Sequence, residues 1–243
     1  MTVTTQPEIA PDTFIARLAT QHPGTIRVFQ RHGIDFCCKG GRPLSEACAE
    51  KGIAFEGLRD ELAEAAAGPG DDPRDWNEAP LGELIDHIVA RYHERLREEL
   101  PRLDAMAARV LLVHGEKHPE TLPALAATFQ GLRAELESHM MKEEHVLFPA
   151  VRELEAGGEP TRGAWLSAPI AMMEHEHDDA GQALAELRRL TDGYQPPAGA
   201  CTTFRGLYHG LAELETDLHH HIHLENNVLF PRAARLEAEA ASV

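Results

Sequence analysis

Histidine and glutamate recur together in one short pattern. His139-x-x-x-Glu143 leads into Val146-Leu147-Phe148-Pro149, and His221-x-x-x-Glu225 leads into Val228-Leu229-Phe230-Pro231, 82 residues further on. Residues at i and i+4 share one face of a helix, so each copy offers an imidazole and a carboxylate in the same direction. Both groups bind metal ions. A more isolated histidine precedes each copy, His93 by 46 residues and His177 by 44. Both lie in text of helical composition, Ile88-Val89-Ala90-Arg91-Tyr92-His93 and Met172-Met173-Glu174-His175-Glu176-His177. The chain thus reads as a helix with one histidine, a helix with His-x-x-x-Glu, and then the same again. Such a repeat marks a duplicated helix pair, and two pairs make a four-helix bundle.

Six residues form the candidate metal-ligand set: His93, His139, Glu143, His177, His221 and Glu225. Four imidazoles and two carboxylates exceed what one structural zinc takes. They suit two metal ions. If both carboxylates bridge, each ion receives two nitrogens and two oxygens, and positions remain open. Imidazole with carboxylate suits iron, manganese or zinc, and open positions on a redox-capable pair favour iron. The widespread di-iron bundles use four Glu and two His with Glu-x-x-His spacing. The histidine-richer set here is less anionic, which favours small-molecule binding over strongly oxidising chemistry. Ala180 and Gly181 follow His177 at helical spacing and could leave room beside the metals or simply allow close helix packing. The other histidines (His22, His32, His87, His114, His118, His145, His175, His209, His219, His220 and His223) read as surface or ordinary polar residues.

The elements that must position these groups are helices. The chain has 243 residues, 43% of them apolar but only 5% aromatic, and it is rich in Ala, Leu and Glu, which favours an all-α fold. Residues 1–67 are expected to form a small helical domain with paired cysteines. Short helices are expected around Phe14–Leu18, after Pro23 up to Gly33, from Pro43 to Gly52, and over Phe55–Ala67. Residues 68–80, Gly-Pro-Gly-Asp-Asp-Pro-Arg-Asp-Trp-Asn-Glu-Ala-Pro, are turn-forming and read as a linker, with Trp76 packing onto one domain. Residues 81–243 hold the bundle. Its helices are expected over about 81–113 with a bend near Pro101, 121–155, 169–192, and from Cys201 to the C-terminal region. Gly157, Gly158 and Pro160 end the second; Gly193, Pro196, Pro197 and Gly199 separate the third from the fourth. Pro149 and Pro231 stand at equivalent points, and a proline inside a helix costs about 3 kcal/mol unless the chain bends. Both motif helices should therefore kink just past the ligand turn, with Val-Leu-Phe anchoring each in the core.

The formal charge of −17 argues against non-specific binding to nucleic acid or to an anionic membrane, and suits a protein that handles cations. No apolar run approaches the roughly 20 residues that span a bilayer. Residues 1–11 lack a basic region followed by an apolar stretch, so no secretory signal is read and a cytoplasmic location is expected. The four cysteines are then reduced. Cys37 and Cys38 are adjacent, and Lys39 and Arg42 could stabilise a thiolate there. They read either as redox or metal-handling thiols or as small buried side chains. Cys48 and Cys201 read as structural. The spacing matches no four-cysteine zinc or iron–sulfur pattern.

Taken in order, Asp35-Phe36-Cys37-Cys38, Ile85-Asp86-His87-Ile88 through His93, Ser138-His139-Met140-Met141-Lys142-Glu143-Glu144 and Leu224-Glu225-Asn226-Asn227-Val228-Leu229-Phe230-Pro231 resemble the hemerythrin-like di-iron proteins of iron–sulfur cluster repair, the Repair of Iron Centres family. The resemblance runs over nearly the whole chain from about residue 12. It implies a hemerythrin-like four-helix bundle with a non-haem, bridged pair of iron ions. His93, His139, His177 and His221 would be terminal ligands, with Glu143 and Glu225 as bridges. It places Glu135 and Glu176 near the centre as outer carboxylates, on a route for iron or protons, and matches Cys37 and Cys38 to the family's cysteine pair. It implies a stress-response role in restoring clusters damaged by nitric oxide or peroxide. The partners implied are damaged or apo iron–sulfur proteins and nitric oxide, and some similar proteins are dimers, which leaves a homodimer open here. Oxygen-carrying hemerythrins use a fifth histidine that this pattern does not require. Three activities remain open at this point: iron donation, nitric oxide reduction, and nitric oxide binding without turnover.

Overall fold

The computed structural model describes residues 9–68, 74–158 and 166–241. Among them there is no strand, and an isolated antiparallel bridge pairs Phe14 with Pro43. The fold is all-α, as the composition and periodicity require. The chain divides into two compact units, Met1–Pro80 with Ile222–Arg232, and Leu81–His221 with Ala233–Val243.

The first unit contains α1 (Ile15–Gln21), a 3-10 turn (Pro23–Thr25), α2 (Ile26–Arg31), α3 (Leu44–Lys51) and α4 (Phe55–Ala66). Pro23 has the fixed φ that a helical first turn needs. Gly52 closes α3 at φ 65°, a conformation that a residue with a Cβ adopts only at a cost. Ile15, Leu18, Val28, Phe29, Phe36, Leu44, Leu58 and Leu62 share one core with Ile222. Residues 69–73 of the expected linker lie outside the described residues. The rest of it belongs to this unit. Trp76 is buried with the Arg74 guanidinium 4.8 Å from its ring centre, and its carbonyl accepts a 2.7 Å hydrogen bond from Arg232.

The second unit is the bundle. Helix α5 is residues 81–114, built from Leu81–Ile88, a wide turn Val89–His93, and Glu94–His114. Helix α6 is residues 122–155, built from Leu122–Lys142, a wide turn Glu143–Leu147, and Phe148–Glu155. Helix α7 is Ser167–Leu190. Helix α8 is residues 202–240, built from Thr202–Leu224, a wide turn Glu225–Leu229, and Phe230–Ala240, and it runs through both units. The first backbone N–H groups of α5, on Leu81 and Gly82, donate to the Glu155 carboxylate at 2.6 and 2.7 Å, which satisfies donors that a helix start leaves without partners. Leu100, Leu103, Phe129, Leu132, Leu184, Leu187, Phe204 and Leu207 form the centre of the core. Helix α5 continues through Pro101. Gly157 at φ 77° follows the end of α6, and Pro160 lies outside the described residues.

The expected breaks at Pro149 and Pro231 take a specific form. The N–H of Phe148 donates to the carbonyl of Glu143, and that of Phe230 to Glu225, in both cases five residues back rather than four. These are π-type turns, which hold one more residue than an α-turn and recur at functional sites. Each proline is the second residue after its turn. A third such turn closes in α5, where the N–H of Glu94 donates to Val89.

Candidate metal centre

All six sequence-derived ligands are buried: His93, Glu143 and Glu225 at 0% exposure, His221 at 2%, His139 and His177 at 3%. They fall into two groups, each with donor atoms within 4.8 Å of one another. One is His93, Glu143, His221 and Glu225; the other is His139, Glu143, His177 and Glu225. Both carboxylates occur in both groups, and the four histidines are divided two and two. His93 Nε2 stands 3.1 Å from His221 Nε2, and His177 Nε2 stands 3.1 Å from His139 Nε2. Glu143 Oε2 lies 3.4 Å from His93 Nε2 and 3.3 Å from His139 Nε2. Donors about 2.1 Å from one first-row cation, on neighbouring corners of its shell, stand roughly 3.0–3.4 Å apart. The spacings observed match that range.

Burial adds a second argument. A carboxylate away from water is tolerated only beside a compensating charge, because desolvation otherwise costs several kcal/mol. Glu143 and Glu225 are fully buried among imidazoles. Divalent cations between them would supply compensating positive charge, so the donor set and its burial fit iron.

Two further groups orient the imidazoles. His93 Nδ1 is 2.6 Å from Glu144 Oε1, and His139 Nδ1 is 2.9 Å from Glu176 Oε2. With the proton on Nδ1 donated to the carboxylate, the Nε2 lone pair of each ring faces the other ligands. Arg97 donates to both oxygens of Glu144 at 2.6 and 2.7 Å, and Lys142 pairs with Glu176. Burial alone would raise the Glu144 carboxyl, but the hydrogen bonds and charges of His93 and Arg97 outweigh it and hold it below the ordinary carboxylate value. Glu176 is likewise lowered against its own burial, by Lys142 and His139. Aromatic rings brace the ligands from outside. Tyr92 stacks on His221 with centroids 5.3 Å apart, and Phe148 on His93 at 5.8 Å.

The other sequence expectations divide. Glu176 Oε2 lies 2.9 Å from His139 Nδ1. Glu135 lies one turn before His139 and is exposed, and the carboxylate that meets His93 Nδ1 is Glu144. Leu147, Phe148, Val228, Leu229 and Phe230 are buried anchors, whereas Val146 is 59% exposed. Ala180 is buried in the bundle core. His223, grouped above with the ordinary polar histidines, is buried; it contacts Asn227 at 3.0 Å and the Phe36 ring edge at 5.5 Å. Cys48 is buried. Cys201 is exposed, 3.3 Å from His114 Nε2, and so is not a core thiol.

Cys37 and Cys38 are free thiols with their sulfurs 3.8 Å apart. The expected thiolate stabilisation is not what the surroundings favour. Arg42 is engaged by Glu50. The Cys37 thiol is pushed well up by its hydrogen bond to Cys38, by burial and by the nearby charge of Asp35. The Cys37 carbonyl accepts from the Asn227 amide at 3.2 Å and from Asn226 at 3.4 Å. No helix among the described residues is long and apolar enough to cross a membrane.

Comparison with known proteins agrees with this geometry. Residues 84–233 match the Hemerythrin HHE cation binding domain, and residues 11–66 match a domain of unknown function, DUF542. The chain is 45% identical over 226 residues to the iron-sulfur cluster repair protein YtfE of Pectobacterium atrosepticum, covering 93% of this chain and 98% of the relative. It is 46% identical over 222 residues to the protein of the same name from Edwardsiella ictaluri, and 43% over 222 residues to that of Escherichia coli O8, in both cases 91% of this chain and 96% of the relative. With both family models in order along the chain and relatives matched over most of it, the chain belongs to the hemerythrin-like iron–sulfur cluster repair family.

Proposed function

We propose that this protein holds two iron ions bridged by Glu143 and Glu225, one further bound by His93 and His221 and the other by His139 and His177. In this reading it restores iron–sulfur clusters damaged by nitrosative or oxidative stress, and does so by supplying iron. The supporting observation is the sharing of both carboxylates between two otherwise separate histidine pairs. A single-metal site would not need that arrangement. The names of the relatives carry the link to cluster repair.

Bound iron supplies exchangeable metal and accessible redox states. The protein's own groups do the rest. Glu144 and Glu176 keep protons on the Nδ1 atoms of His93 and His139, so that Nε2 stays available for metal. Arg97 and Lys142 fix those carboxylates from the partly exposed side. The test is transfer of labelled iron from the loaded protein to an apo iron–sulfur protein under anaerobic conditions. Stoichiometric loss from one and gain by the other is expected. Retention of all iron beside a competent acceptor would remove iron supply from the proposal.

A second reading draws on a small recess that reaches His221, lined by Tyr92, Leu96, Leu214 and Leu218 together with the charged residues Arg95, Glu99, Glu213 and Asp217. A recess this small beside a proposed ligand suits a small molecule such as nitric oxide. Nitrous oxide formed over many cycles would make the protein a nitric oxide reductase. Saturable nitrosyl formation without turnover would make it a scavenger or sensor.

A further inference from the structure

A second set of metal-capable groups lies in the first unit, in the loop between α2 and α3. Asp35, Cys37 and Cys38 bring one oxygen and two sulfurs within 4.8 Å of one another. The Sγ atoms are 3.8 Å apart, and Asp35 Oδ1 is 3.4 Å from Cys37 Sγ. A tetrahedral ion with sulfur at about 2.3 Å and oxygen at about 2.1 Å has edges of about 3.8 Å between sulfurs and about 3.6 Å between sulfur and oxygen. Both separations fall near those edges, and the third pair, Asp35 with Cys38, lies within 4.8 Å. A disulfide would need the sulfurs at about 2.05 Å, which the loop does not approach.

We propose that Asp35, Cys37 and Cys38 form a separate binding site for one thiophilic divalent cation of the ferrous or zinc type. The loop is held in shape by contacts other than the cation. Asp35 Oδ1 accepts the backbone N–H of Cys37 at 3.1 Å and of Cys38 at 2.9 Å. Asn226 and Asn227 grip the Cys37 carbonyl, and Phe36 beside it is packed against Phe29 with centroids 6.4 Å apart. Cys37 is buried while Asp35 and Cys38 are half-buried, so an ion has both a protected and an accessible side. Binding replaces one proton on each thiol by two bonds to a single ion, and both protons leave to water. Cys37 holds its proton tightly in the free protein because Cys38 and burial disfavour a bare thiolate. A cation between the two sulfurs removes that penalty, since a coordinated thiol is deprotonated outright.

Among the described residues no fourth His, Cys, Asp or Glu joins the group. Structural zinc sites are closed by four protein ligands. A three-donor site leaves one corner for water or for a donor on another molecule, which makes it a site of exchange.

Cobalt(II) titration of the reduced, metal-free full-length protein tests this. The histidine–glutamate centre has no sulfur, so only a thiolate site gives thiolate-to-cobalt charge-transfer absorption in the near ultraviolet. One equivalent is expected to produce that band. His177→Ala should leave it, Cys37→Ser with Cys38→Ser should abolish it, and Cys38→Ser alone, at a half-buried position, should weaken it. Asp35→Asn keeps an acceptor for the two N–H groups but loses charge, and should lower cobalt affinity at least tenfold. Circular dichroism checks that each variant is folded. Absence of the band in the wild type, its persistence in the double serine variant, or unchanged affinity in Asp35→Asn would each overturn the assignment.

Discussion

Removing the Glu144 carboxylate should loosen one metal ion and not the other. Glu144 Oε1 takes the Nδ1 proton of His93 at 2.6 Å, and His93 belongs to the group with His221 rather than to the group with His139 and His177. A hydrogen bond to a charged partner contributes about 1.5–3 kcal/mol. With about 1.4 kcal/mol for each factor of ten, its loss predicts a roughly 10–100-fold weaker hold on one ion, the range seen when such outer partners are removed. The Glu144 side chain is 23% exposed, so water can partly replace it and Glu144→Ala should fall toward the lower end. Glu144→Gln retains an oxygen that can accept from Nδ1 and should lose less than tenfold. Arg97→Ala leaves the carboxylate in place and should have a still smaller effect. The assay is anaerobic competition for ferrous iron against a chelator of known affinity, with Mössbauer spectra of the iron retained. The expected titration has two phases, one shifted and one at the wild-type position. Two ions released together with equal loss of affinity would refute the division of the histidines. Wild-type affinity for both would refute the role of Glu144.

Glu143→Ala removes a donor common to both groups, so at least one iron should be lost on desalting; metal analysis showing both retained would remove Glu143 as a bridge. Cys37→Ala with Cys38→Ala should leave the iron spectrum of the bundle intact, because neither sulfur belongs to its two groups; a lost or altered spectrum would tie the cysteines to the centre. Gly24→Ala would place a Cβ 2.4 Å from the backbone carbonyl oxygen of Ala65, an overpacking that should cost about 1–3 kcal/mol, and a denaturant midpoint equal to that of the wild type would show that the 3-10 turn can yield.

The candidate ligands are legible in the sequence because helical spacing is geometry. His139 and Glu143 must share a face if the segment is helical, and so must His221 and Glu225. Duplication then supplied the pairing of helices that a lone motif lacks. The outer partners were hidden for the opposite reason. Glu144 meets His93 across 51 residues and Lys142 meets Glu176 across 34, and no local rule links residues so far apart. Glu144 also stands beside Glu143, where a second acidic residue reads as a solvated face. His223 was obscured by its neighbours His219, His220 and His221; its burial depends on Phe36 and Asn227, which pack around it within the first unit. Nothing in the local sequence marks Cys201 as exposed, yet it precedes the first turn of α8 at an exposed position.

The prolines of the repeated motif show how sequence and site are joined. In an uninterrupted α-helix, Pro149 would press its ring on the carbonyl of His145 and leave a carbonyl without its donor. The π-type turn Glu143–Leu147 ends two residues before it, with the Phe148 N–H already given to Glu143. The helix thus changes register at the one place where the following residue has no N–H to offer. Pro231 stands in the same relation to the turn Glu225–Leu229. In both motif helices the wide turn begins on the glutamate proposed as a bridge, so the backbone irregularity and the shared ligand coincide. The turn in α5 needs another cause, since no proline follows it, and it ends on the ligand His93 instead of starting on one. What the three have in common is a candidate ligand at a turn boundary. Within its turn Glu143 enters the buried cluster while Glu144, its neighbour, reaches the outer nitrogen of His93. Val-Leu-Phe-Pro is therefore more than an anchor: the aromatic residue closes the turn through its N–H, and the proline keeps the next donor from competing.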